Sequence, residues 1–376
     1  MKGTAESLQH DTTIVNMGPQ HPSTHGVLNL TLTLRGELIE AARPKVGFLH
    51  RAIEKIAEST QYVGFIPYTD RVDYLSAMFG NQGYCMAVEK LLGIEVPRRA
   101  EYMRVVACEL NRIINHLIAC GTFAMDLGAF TPFLHGMRER EMVNDMMEKI
   151  CGARLNYNYM RFGGVSRDWV PGLDKEILAF LDRFETFLPE FNRLITGNEI
   201  FVKRLVHVVP ISAAQAIKYG LGGPNLRASG VDFDLRRDYP YSVYPEFKFK
   251  VITGVGYRGE TGDTFSRYMV RLDEMVESAK IVRQAVEGIP EGEYLAKVAR
   301  NPVVPAGEVY THVESTRGEM GFYLISDGTD KPFRCKIRTS SFCAMAAIPE
   351  VIPGFMVADL TAFFGSLDVV APEVDR

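Results

Sequence analysis

The chain of 376 residues has six cysteines, Cys85, Cys108, Cys120, Cys151, Cys335 and Cys343, and no two of them form a CxxC pair. That scatter signals neither a disulfide framework nor a zinc or iron-sulfur site. Any redox cofactor the chain serves is therefore expected to be held by another protein. Long hydrophobic runs are missing too: no segment reaches the roughly 18 apolar residues of a membrane span. The opening MKGTAESLQHDTT has neither the apolar centre of a signal peptide nor an arginine-rich transit pattern. The expectation is a chain kept in a reducing compartment that does not cross a membrane. Positive charge is not in excess, since the formal net charge is −4 and both signs are mixed along the chain. This excludes the basic footprint of a nucleic-acid binder. A phosphate-binding loop is absent as well. GLGGPNLRASG fits neither GxGxxG nor GxxxxGK[ST], its glycines read as turn residues, and no bound NADH or ATP is expected.

What is present is a change of hydrophobic period. Leu28, Leu30, Leu32 and Leu34 alternate with Asn29, Thr31, Thr33 and Arg35, which predicts strands over 12–17 and 27–42 with a turn at RGE, residues 35–37. From about residue 50 the spacing becomes helical. Met103, Val106, Ala107, Leu110, Ile114, Leu117 and Ile118 recur at three- and four-residue steps, and 71–92, 130–152, 173–197 and 263–288 repeat the pattern. Gly and Pro break it at 222–230, 238–247 and 301–308. Residues 318–338 predict a hairpin, and a short helix at 354–366 leads into the tail GSLDVVAPEVDR. The fold class is α+β and mainly helical: a small N-terminal antiparallel sheet over 1–49, a helix-bundle core over 50–300, and a C-terminal hairpin, helix and tail over 301–376.

Three stretches carry candidate chemistry. GPQHPSTHGVL, residues 18–28, holds His21 and His25 at the spacing of a helical metal pair, but Pro19 and Pro22 deny the helix, so the metal reading lapses. What remains is a stiff turn whose histidines bond the backbone. DRVDYLSAMFG places Asp70, Arg71, Asp73 and Tyr74 at a predicted helix start, where carboxylates suit the dipole and an ordinary charged first turn accounts for them. TFAMDLGAFTPF sets Asp126 among apolar residues, either as a cap for the next element or as a buried partner for a cation.

Taken together, NMGPQHPSTHGVL, GFLHRAIEK, DRVDYLSAM, MDLGAFTPF, RASGVDFDLR, RGEMGFYLISDG and the terminal EVDR occur in order from residue 12 to 376. In this the chain resembles the D (49 kDa) subunits of proton-pumping NADH:quinone oxidoreductase, respiratory complex I. That family is related to the large subunits of nickel-iron hydrogenases, which implies a hydrogenase-like helix bundle. The hydrogenase metal ligands, two CxxC pairs, align with Asp73 and Ser76 and with Val370 and Glu373, none of which is cysteine. Without thiolates the resemblance implies an emptied metal site.

The same resemblance implies that the vacated region takes a quinone headgroup. His25 and Tyr74 then face the two quinone carbonyls and Asp126 pairs with His25. Two electrons need two protons, which a phenol and an imidazolium supply; His21 is left to the turn itself. Arg51 and Arg71 correspond to arginines near a 4Fe-4S cluster in an adjacent subunit or near the quinone channel. No cofactor is implied on this chain alone, and quinone is its substrate. The implied partners are that iron-sulfur subunit, other peripheral-arm subunits and a membrane-arm subunit at the quinone entrance. The implied location is the cytoplasmic side of a bacterial inner membrane. Where many family members carry a histidine near the cluster, this chain has Asn156, which cannot titrate and points to a low-potential quinone such as menaquinone. The alternatives are a related membrane dehydrogenase fed by ferredoxin or deazaflavin and, against the missing cysteines, a hydrogenase large subunit.

Overall fold

The computed structural model describes residues 12–18 and 27–376. The leucine alternation gives the antiparallel sheet it predicts. Strands β1 (Thr13–Met17), β2 (Asn29–Arg35) and β3 (Leu38–Lys45) lie in the order β1-β2-β3. Leu28, Leu30 and Leu32 are buried and Thr31 and Thr33 are half-exposed, as a period of two requires. The buried face does not meet the helix bundle directly. It forms a second hydrophobic core with the C-terminal helices, through residues such as Ile348, Phe363 and Val374.

The chain then runs through helices α1 (Ile53–Ser59), α2 (Tyr62–Thr69), α3 (Ala77–Leu92), α4 (Arg98–Asp126) and α5 (Phe130–Cys151). The two short strands β4 (Met160–Arg161) and β5 (Gly164–Val165) precede α6 (Leu173–Thr196). Short helices α7 (Glu199–Lys203), α8 (Ala213–Lys218), α9 (Gly223–Ala228) and α10 (Leu235–Asp238) lead to the long α11 (Thr264–Gly288). Helix α4 is the axis of the bundle, packed by α3, α5, α11 and α13. It is buried on nearly every side, polar residues Arg104, Glu109, Asn111, Arg112, Asn115 and His116 included. Its apolar stripe is thus only one of its buried faces.

Two expectations need correction. The helix predicted from residue 71 begins at Ala77, because the Asp73 carboxylate accepts the amides of Leu75 and Ser76 at 3.2 and 3.3 Å and holds them in a turn. An aspartate that binds its own downstream backbone competes with the helix. Asp70 to Tyr74 therefore belong to the α2–α3 connection. At the C-terminus the predicted hairpin is part of a three-stranded sheet, β6 (Gly307–Ser315), β7 (Gly318–Ser326) and β8 (Arg334–Arg338). Strand β6, partly hidden within the Gly/Pro break at 301–308, pairs with β7 along its whole length. After β8 come α12 (Ser340–Val351), α13 (Val357–Leu367) and α14 (Ala371–Asp375), so the tail is structured and buried.

The glycines of GLGGPNLRASG have a specific purpose. Gly223 and Gly318 have φ of +57° and +119°, and a Cβ on either would sit about 2.5 Å from the other's backbone. The turn between β6 and β7 is thereby pressed against the start of α9, which sets the position of Arg317 in that turn.

Candidate functional site

Arg317 is buried at the meeting point of four segments. Its guanidinium donates to the Asp73 carboxylate from the α2–α3 connection, and to Ser76 Oγ at 3.2 Å. It donates to Asn115 Oδ1 on α4 at 3.1 Å, and to the Asp368 carbonyl and carboxylate, just after α13, at 2.7 and 3.3 Å. Glu373 on α14 is buried close by, where the Ser341 hydroxyl of α12 donates to its carboxylate and also accepts the Val370 amide at 3.4 Å. The four positions that the resemblance aligns with hydrogenase cysteines lie around two side chains: 73 and 76 bond Arg317, and 370 and 373 bond Ser341. Among the described residues no group of three or more His, Cys, Asp or Glu is arranged to hold a metal ion.

The charges of this cluster do not balance. Asp73, Asp368 and Glu373 face one bonded guanidinium. Arg271 is nearby, but it is spent on the carbonyls of Arg267, Ser366 and Leu367 and on Asn225. Burial, followed by the repulsion of Asp73, pushes the Glu373 carboxyl up to about 7, against the pull of Arg317 and the Ser341 hydrogen bond. Tyr74, 40% exposed, stands at the edge of the cluster. Burial raises its phenol above the usual range; Arg317 draws it down and Asp73 and Asp368 push it further up.

The other predicted residues fall as follows. His25 and His21 lie outside the described residues. Asp126 is the last residue of α4 and half-buried; it does not cap α5, whose N-cap is Ala129. Arg51 and Arg71 are exposed and come together, with the Arg51 guanidinium donating to the Arg71 carbonyl at 2.9 Å. Arg71 in turn donates to Asp70 at 2.8 Å and to the Pro67 carbonyl. Asn156 takes a left-handed φ of 53°, a conformation asparagine tolerates, and its buried Oδ1 has no hydrogen-bond partner among the described residues. The terminal EVDR is tied to the GFLHRAIEK segment. The Asp375 carboxylate accepts the amides of Gly47 and Leu49 at 2.6 and 2.7 Å, and Arg376 approaches Glu54 at 3.6 Å.

Sequence reasoning missed Arg317 and Asp368, and knew Glu373 only as a former ligand position. It also missed a second buried ionic cluster beside the first. Glu109 on α4 accepts from Arg112 at 3.1 Å, Arg236 at 3.2 Å, Tyr244 at 2.7 Å and Ser278 at 2.8 Å. Arg236 also holds Asp234 at 2.6 Å, while Arg227 joins Glu274 and Glu314, each at 2.8 Å. His116 meets Glu274 at 3.1 Å, and burial lowers the basicity of its imidazole.

Known proteins resemble this chain along nearly its whole length. A family model described as "Respiratory-chain NADH dehydrogenase, 49 Kd subunit" matches residues 126–302 and 295–376. The chain is 58% identical over 368 residues to an NADH-quinone oxidoreductase D-type chain of Anaeromyxobacter sp. (strain K), covering 98% of this chain and 97% of that one. It is 53% identical to the corresponding NADH-quinone oxidoreductase chain of Sorangium cellulosum, over 97% of this chain and 95% of that one. With the counterpart in Bacillus anthracis the identity is 47%, over 98% of this chain and all of that one.

Proposed function

The chain belongs to the family of the 49 kDa subunit of respiratory-chain NADH dehydrogenase, and from that membership we propose that it forms the quinone headgroup site of a proton-pumping NADH:quinone oxidoreductase, with Tyr74 at the reacting quinone. It is a subunit of an oxidoreductase complex, and its relatives carry quinone in their names. The observation that carries the finer reading is the cluster at positions 73, 76, 370 and 373. There a bonded Arg–carboxylate group stands at positions that the resemblance aligns with a thiolate metal cage, with a half-exposed phenol at its edge.

Reducing a quinone adds two electrons and two protons. In this reading the electrons come singly from a 4Fe-4S cluster in an adjacent subunit, past the exposed pair Arg51 and Arg71. A fixed positive charge there favours the reduced cluster. Tyr74 donates a hydrogen bond and then a proton to one quinone oxygen. His25 serves the other as an imidazolium, and the Asp126 carboxylate favours its charged form. Other peripheral-arm subunits cover the rest of the chain, and a membrane-arm subunit brings the quinone in from the lipid. Among the described residues no helix is long and apolar enough to cross a membrane, which fits a peripheral position on the cytoplasmic face of a bacterial inner membrane. Quinone reduction here is the step coupled to proton pumping.

The test is Tyr74→Phe in the assembled complex. Losing one hydrogen bond to a charged species costs about 1.5–3 kcal/mol, roughly ten- to a hundredfold in rate. NADH-driven quinone reduction is expected to fall by that factor, while reduction of a hydrophilic artificial acceptor stays normal. Near-normal quinone turnover, with or without weakened assembly, makes Tyr74 a structural residue and overturns the reading.

A further inference from the structure

Helices α6 and α11 pack against each other, and the seam between them opens into a groove of about 520 Å³. Its lining is mainly apolar. Phe184 and Leu188 stand one turn apart on α6, and Leu272 and Val276 one turn apart on α11. Phe184 and Leu272 are buried, whereas Val276 is left 38% exposed.

Asp273 of α11 belongs to the same lining, and its carboxylate is short of a cation. Its one bonded partner among the described residues is the Tyr257 hydroxyl, which donates to it and fixes its direction. Burial raises the carboxyl above its usual range; the Tyr257 bond draws it down, and Glu277 and Glu274 push it up again. The nearby cations are taken. Lys280, about two turns along α11 and also in the lining, is bonded to Glu277 at 2.6 Å. Arg283 is shared by Asp182 and Glu185 of α6, at 2.8 and 2.9 Å. The seam thus sets four carboxylates, Asp182, Glu185, Asp273 and Glu277, against two bonded cations, Arg283 and Lys280.

We propose that this groove is a docking site for a neighbouring subunit of the complex, which lays a lysine or arginine side chain along the apolar lining and bonds Asp273 with its charged end. The occupant is a subunit because the chain belongs to a family of subunits of the respiratory-chain NADH dehydrogenase. It brings a cation because the surplus charge of the seam is negative, and because an apolar groove ending at a carboxylate fits the long methylene stem and charged head of a basic side chain. Covering Val276 and its neighbours supplies apolar contact, and the ion pair fixes the register of the partner's segment. None of the residues assigned to quinone takes part, so a failure here leaves that reading standing.

The experiment uses the assembled complex with the substitution Val276→benzoylphenylalanine, a photoreactive side chain at a position that is already partly exposed. Irradiation and peptide mapping are expected to join it to one segment of another subunit, with a lysine or arginine beside the point of attachment. Asp273→Asn keeps the shape and removes the charge, and is expected to lower the crosslink yield about tenfold, as the loss of one charge-assisted hydrogen bond. Asp273→Lys is expected to lower it further, and glutamate in place of the mapped basic residue is expected to restore it. A crosslink to the chain's own residues 1–11, to a second copy of the chain, to a segment without a basic residue, or to no protein overturns the proposal. So does a crosslink to another subunit whose yield is the same in Asp273→Asn. If the Asp273 variants do not assemble, glutamine in place of the mapped basic residue is the deciding change: a similar loss upholds the pairing, and an unchanged yield overturns it.

Discussion

The ions around Glu109 and those around Arg317 are buried to the same degree, yet they behave in opposite ways. Around Glu109, the guanidiniums of Arg112, Arg227 and Arg236 are matched to the carboxylates of Glu109, Asp234, Glu274 and Glu314. Burial works against every one of those charges. Even so, Arg112 and Arg236 hold Glu109 down at about 2, Arg227 and His116 hold Glu274 at about 2, and Arg236 and Arg227 keep Asp234 well below its usual range. Only Glu314 is raised, burial outweighing Arg227. Around Arg317 two carboxylates, Asp73 and Asp368, are bonded to one guanidinium, and the Glu373 carboxyl, held by the Ser341 hydroxyl, is pushed up to about 7. Desolvation is common to both clusters. What differs is the supply of cations, which holds Glu109 and Glu274 at about 2 and leaves Glu373 at about 7.

The largest effect that tests this contrast comes from breaking the balanced side. Glu109→Gln strips Arg112 and Arg236 of their shared anion, and uncompensated buried charge costs about 3–5 kcal/mol. The expected result is little folded chain, read by chemical denaturation or by the chain's absence from the assembled complex. Glu373→Gln is expected to assemble. Equal damage from both substitutions breaks the comparison.

A smaller effect lies in the pH dependence of stability. The Glu109 and Glu274 carboxyls are depressed from 4.5, so their contribution is present above 4.5 and is lost as pH falls through about 2. Glu373 is raised, so its contribution is fully present below 4.5 and is lost as pH rises through about 7. Between those limits Glu373→Gln is expected to flatten the stability curve by on the order of 1–3 kcal/mol. Parallel curves for wild type and variant in urea titrations at pH 5 and 8 place the titrating proton elsewhere.

The smallest effect concerns how the tail carrying Glu373 is anchored. Asp375→Asn weakens a partly exposed carboxylate clamp on two amides, a change of about 0.5–1.5 kcal/mol. Faster hydrogen exchange at Gly47 and Leu49 is expected, with the Glu109 cluster unaffected. Unchanged exchange there shows that the clamp does not hold the α14 end of the chain.

The helices were readable where one face repeats, as in α5, α6 and α11, whose bounds fall within a residue or so of the periodic segments. Reading failed where a side chain competes with the backbone. Asp73 turns the amides of Leu75 and Ser76 aside, so an apparent helix start is a connection. Strand β6 was missed because the Gly/Pro signal at its entry masked the alternation of Val309, Thr311 and Val313. Of the site, Tyr74, Arg51 and Arg71 came from motifs. Arg317 stands in a two-residue turn with no periodic pattern around it, and nothing local marks it as buried.

The sequence by itself determined the period of each element, the lack of paired cysteines and the order of motifs that carries the family. Those properties are local, or additive along the chain. The tertiary structure alone decided that Asp73, Arg317, Asp368 and Glu373 are buried near one another, and that a second set of arginines and acids meets around Glu109. Which carboxyl keeps its proton depends on how many cations reach it through a medium of low dielectric. That number is set by packing between segments distant in sequence, and no local pattern records it.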